Sequence, residues 1–146
     1  MVNAIILFFL MLFCHIFDDF YLQGILADMK QKSYWDKCTI KLSIENRRMY
    51  MNDYKIAIII HALSWTVSIN LPIFIVLITS GSTIPNIFGV LLLAELIINI
   101  LIHAMVDDEK ANKKSINLIH DQLIHFSQVF ITFIIWCIIF SHFHII

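Results

Sequence analysis

The chain has 146 residues, 60% of them apolar and only 14% charged, against about 25% charge in a typical soluble domain. Its mean hydropathy of +0.82 favours lipid over water. Its net charge of -1 gives nucleic-acid binding no electrostatic support.

The length predicts one domain, over 1–146. Cys14, Cys38 and Cys137 make no CxxC pair and no metal-ligand spacing, so no oxidising compartment is required. All lysines and arginines fall in two stretches, 24–55 and 106–120. The runs between are long and apolar, and the chain is read as an all-α, polytopic membrane protein with a four-helix transmembrane bundle.

The first span is expected over about 5–22, with His15, Asp18 and Asp19 in its second half. The opening MVNAIILFFL has no basic flank and no small-residue cleavage pattern, so it reads as a retained span rather than a secretory leader. The loop 24–55 follows. Its GILADMKQKSYW segment either continues the first helix or lies along the interface, with Met29, Tyr34 and Trp35 at headgroup depth and Lys30 and Lys32 toward phosphate. A lid over a substrate and a docking segment for a protein partner are further roles for this loop.

The second span is expected over about 56–79, with His61 in its first half and a kink at Pro72. Turn formers occupy SGSTIPN, 80–86. The third span, about 84–105, contains Glu95, Asn99 and His103. The second basic stretch then leads to a fourth span over about 123–140. With four spans, both basic stretches share one side. The positive-inside rule places that side in the cytoplasm and both termini outside the inner membrane.

Polar residues recur where charge meets apolar run. His15 and Asp19, His103 and Asp107, and Asp121 and His125 are each four residues apart, hence on one helix face. Glu95, Asn99, His103 and Asp107 extend the same spacing along the third span. In the expected topology these pairs and His61 lie at one depth, near the cytoplasmic ends of their helices. Ionisable groups in a membrane segment pair, bind an ion or react.

Imidazole and carboxylate donors without thiols suit zinc, manganese or iron. The expected metal ligands are His15, Asp19, His61, His103, Asp107, Asp121 and His125. They suffice for one zinc with orienting carboxylates, or for two metals. A network of hydrogen-bonded His–Asp pairs joining the helices is the alternative. Asp18 is read as a rim or headgroup-facing residue, whereas Asp108, Glu109 and His120 are expected in water. His142 and His144 belong to the opposite face.

HIFDDFYLQ at 15–23, His61, His103 with Asp107 and Lys110, and DQLIH at 121–125 together resemble a bacterial and phage membrane family, domain of unknown function 3307. The resemblance covers essentially the whole chain. It extends distantly to membrane-bound metal-dependent hydrolases, and so implies a hydrolase with His/Asp motifs at its span ends. The polar stretch 38–53 and Asp18 depart from the family pattern.

The leading expectation is a metal-dependent hydrolase acting on a lipid headgroup or other phosphoester at the cytoplasmic face. Asp19 or Asp107 would be its acid–base residue. Lys110 either binds the substrate phosphate or simply adds to the positive-inside charge. The alternative is a non-enzymatic membrane protein, either an ion or proton relay or a scaffold.

Overall fold

The computed structural model describes residues 4–80 and 86–143, which form helices and turns and no strand. The first helix, α1 (Ala4–Phe17), opens into a π-helical turn over Asp18–Leu22. Three short helices follow: α2 (Leu26–Met29), α3 (Lys32–Cys38) and α4 (Ile44–Met49). The long helices α5 (Asp53–Thr79), α6 (Asn86–Asp108) and α7 (Leu118–His142) complete the molecule. A second π-helical turn, Glu109–Lys113, ends α6.

Four helical stretches are long and apolar enough to cross a membrane. At 1.5 Å per residue the 27 residues of α5 extend about 40 Å, enough to cross a hydrocarbon core of about 30 Å. Their outer faces carry Phe9, Phe13, Ile59, Leu63, Leu101 and Ile138, all exposed, as a lipid-facing surface requires.

Pro72 lies buried inside α5, and the helix continues past it to Thr79. The turn expected at 80–86 falls almost wholly outside the described residues, as does His144.

α5 is the central helix, packing most extensively on α1 and α6. It buries Ile58, His61, Trp65, Ile69, Ile73 and Val76 at three- and four-residue steps. The apolar core gathers Leu7, Met11, Trp65, Ile69, Ile73, Phe88, Val129, Trp136 and Phe140. These come from the start of α1, the end of α5, the start of α6 and the end of α7. The opposite helix ends carry His15, His61, His103 and His125, so the interior is apolar at one end and polar at the other.

The connection after α1 folds back on the polar end. Gly24 has φ +46, a left-handed conformation that glycine adopts without the Cβ penalty. α2 then packs on α5, and α3 reaches the second π-turn. Asn112 fastens the strap: its Nδ2 donates to the Lys30 carbonyl at 3.1 Å, and its Oδ1 accepts from the Lys32 amide at 2.7 Å. Lys30 was expected to point toward lipid phosphate. The strap instead turns its ammonium inward, onto Asp107.

Candidate metal centre

Each long helix delivers its polar residues through the stripe that buries its apolar ones. In α1 that stripe is Leu7, Met11, His15 and Asp18, with Asp19 beside it. In α6 it runs Asn99, His103, Asp107, and in α7 Asp121, His125, Gln128. One π-turn, Asp18–Leu22, carries Asp18 and Asp19, and the other, Glu109–Lys113, begins two residues past Asp107. Such widened turns are often found at functional sites.

Four atoms from three elements meet at the centre. His61 Nε2 lies 3.3 Å from Asp19 Oδ1 and 3.6 Å from Asp107 Oδ2. His103 Nε2 lies 3.9 Å and 3.8 Å from the same two oxygens. Ligands bound at 2.0–2.1 Å around a tetrahedral zinc stand about 3.4 Å apart. The four separations therefore match the edges of a coordination polyhedron better than hydrogen bonds, which are shorter. A second set adjoins it: His125 Nε2 is 3.6 Å from Asp107 Oδ1 and 3.4 Å from Asp121 Oδ1. Asp107 thus turns one oxygen to each set, as a bridging carboxylate would.

Asp19, His61 and His103, and likewise His103, Asp107 and His125, can each place three donor atoms within 4.8 Å of one another. All five residues are buried.

Both ring nitrogens of His61, His103 and His125 are buried and make no hydrogen bond. Leaving a buried polar group unsatisfied costs about 1–3 kcal/mol, so three such rings together call for a ligand or for protons. Charge agrees. Among the described residues, Asp18, Asp19, Asp107 and Asp121 as carboxylates face two ammoniums, those of Lys30 and Lys110. With the histidines neutral, two negative charges remain, which one divalent cation neutralises. The donor set of imidazoles and carboxylates fits zinc and also manganese.

The surroundings orient the donors. Asp18 accepts the Ser64 and Ser68 hydroxyls at 2.8 and 2.9 Å through Oδ1, while its Oδ2 lies 3.7 Å from His61 Nδ1. A carboxylate there directs the Nδ1 proton toward itself and the Nε2 lone pair toward Asp19 and Asp107. The His103 ring packs on Trp65, with centroids 4.3 Å apart, and on His125, at 4.0 Å, while those two rings lie 5.7 Å from each other. The Lys30 ammonium sits 2.9 Å from Asp107 Oδ2, and that of Lys110 2.6 Å from Asp121 Oδ2. Gln122 donates to Asp19 Oδ2 at 3.1 Å.

Of the seven expected ligands, the structure brings six into these two sets. His15 Nδ1 lies 3.8 Å from Asp19 Oδ2, but that nitrogen already accepts the Trp65 indole N–H at 2.8 Å, so His15 steadies the ring that packs on His103. Asp18 was expected at the rim and is fully buried instead. Its spacing from His15, three residues, carried that information. His120 is exposed, as expected, and His142 lies at the far end of α7 from the centre.

The polar network extends past the centre. Gln128 Nε2 donates to Asn99 Oδ1 at 2.7 Å, Asn99 Nδ2 to Thr132 at 3.0 Å and Asn70 Nδ2 to Glu95 Oε1 at 3.2 Å. Asn99 Nδ2 also donates to Glu95 Oε1.

Compared with family models, with curated proteins and with solved structures, the chain gives no match.

Proposed function

We propose that the protein is a membrane-embedded, metal-dependent hydrolase acting on a phospholipid headgroup or another amphiphilic phosphoester. The polyhedral spacing of His61 Nε2, His103 Nε2, Asp19 Oδ1 and Asp107 Oδ2 carries this reading. The distant motif resemblance to membrane-bound metal-dependent hydrolases points the same way.

His61, His103, Asp19 and Asp107 would hold the metal, with Asp18 orienting His61. Zinc or manganese bound there would supply an acidified water and a Lewis acid for the phosphoryl oxygen. Asp19 and Asp107, expected as alternative bases, are used as ligands in this arrangement. His125, beside Asp121, is then the group free to take and return a proton. The ammoniums of Lys30 and Lys110 offer point charges to phosphoryl oxygens. We further propose that the polar end faces the cytoplasm across the inner membrane, so that the centre meets headgroups of the inner leaflet.

The test is metal analysis and turnover of the protein purified in detergent. The expected result is stoichiometric zinc or manganese and metal-dependent release of phosphate or headgroup. Failure to bind either ion specifically, after reconstitution with excess, would overturn the metal reading. Bound metal with no turnover across phospholipids and soluble phosphoesters would overturn the hydrolase.

The Asn70–Glu95–Asn99–Gln128 network favours a second reading, an ion or proton relay. It predicts ion or proton flux through reconstituted vesicles, which a hydrolase would not show.

A further inference from the structure

The connection between α1 and α5 contains a second polar feature, separate from the metal ligands. α3, α4 and the turn before α5 enclose a cleft of about 220 Å³. Lys32, Arg47 and Arg48 line it, together with Trp35, Tyr50 and Asp36. The Trp35 and Tyr50 rings lie nearly parallel, 15° apart, with centroids 6.4 Å from each other.

Lys30, Lys110 and Lys113 pair with carboxylates. The other cations form no ion pair among the described residues, and of these Lys32, Arg47 and Arg48 converge on this one cleft, with Asp36 as its carboxylate. Three cations against one carboxylate leave two positive charges converging on a concave surface. Guanidinium groups recognise phosphate through paired N–H donors.

Position and rim narrow the occupant. α5 begins at Asp53, a few residues after the cleft, and runs straight into the apolar span. Around the cleft Ile40, Leu42, Ile44, Met49 and Met51 are exposed, Ile44 at 73% and Met49 at 74%. Apolar side chains so exposed beside unpaired cations suit one environment, the boundary between acyl chains and headgroups. A soluble phosphate would use the cations and leave the apolar rim in water.

We propose that this cleft binds the phosphate of an anionic phospholipid, the apolar rim resting among its acyl chains. The site stands whether or not the metal centre turns over any substrate.

The test uses the full chain in nanodiscs of phosphatidylcholine containing increasing phosphatidylglycerol, with retained lipid counted by native mass spectrometry. Wild type should retain phosphatidylglycerol selectively. Arg47→Gln with Arg48→Gln should weaken that retention about tenfold while leaving metal content unchanged, which reports that the bundle is folded. Lys37→Gln with Lys41→Gln removes the same charge from the same connection, outside the cleft, and should retain the lipid. Glycerol 1-phosphate should not compete at millimolar concentration. Equal retention of both lipids, or equal loss in the two double variants, would overturn the proposal. Full competition by glycerol phosphate would replace it with a soluble-phosphate site.

Discussion

At the scale of single residues, the centre makes opposite demands on neighbours that share one charge type. His103 Nε2 faces both Asp19 and Asp107. His103→Ala should therefore remove most of the bound metal, while His142→Ala, at the far end of α7, should leave it untouched, as elemental analysis would show. His125→Ala should keep the metal held by His61 and His103 yet lower turnover by about 10²–10⁴-fold, the range for losing a positioned acid–base group. Metal lost along with activity in that variant would make His125 a ligand instead. Lys30→Gln should tighten metal retention against a chelator by about tenfold, because it takes one positive charge from beside Asp107. Weaker retention would mean that Lys30 builds the site rather than balancing it. The four-residue spacings exposed most of these residues in sequence, because a buried face on an apolar helix has few polar positions. They left two things hidden. Asp18 shares the stripe of Leu7, Met11 and His15, and with Asp19 buried beside it the polar face is wider than one four-residue pair defines. The role of His15 depends on Trp65, 50 residues on, and no spacing within one helix reports a bond between helices.

At the scale of elements, the short strap is what closes the polar end. Gly24 starts it in a left-handed conformation, and Asn112 holds its far side. Replacing Gly24 with alanine places a Cβ on that backbone, at a cost of about 1–2 kcal/mol. It meets only the Leu22 carbonyl, at 3.8 Å, so the cost is conformational rather than a clash. Gly24→Ala should lower the thermal midpoint and speed metal loss to a chelator, since the strap folds over the polar end of the bundle. A lowered midpoint with unchanged metal release would separate the strap from the centre. Hydropathy located the four long helices, because each apolar run is bounded by charge or turn formers. It gave no boundaries for α2, α3 and α4, of 4, 7 and 6 residues. Helices so short are marginal alone and form through packing, capping and the Asn112 clamp.

At the scale of the whole molecule, the proposed orientation rests on where the cations lie. Accessible tags at either terminus should be reached only from outside the cell, and a tag in 38–52 only from the cytoplasm. A C-terminus reached from the cytoplasm would reverse the orientation and move the centre to the outer leaflet. The split interior has a further consequence for how the bundle breathes. Leu7, Met11, Trp136 and Phe140 hold their end through apolar packing, whereas the end containing His61, His103 and His125 has orphaned nitrogens where contacts should be. Amide hydrogen exchange should therefore be graded along the axis. In metal-stripped protein, amides around His61, His103 and His125 should exchange well before those around Ile73 and Trp136. Restoring zinc should slow the polar half selectively and leave the other half as it was. A bundle built as one cooperative block would slow uniformly; one built as two would slow only in the half that the ion staples.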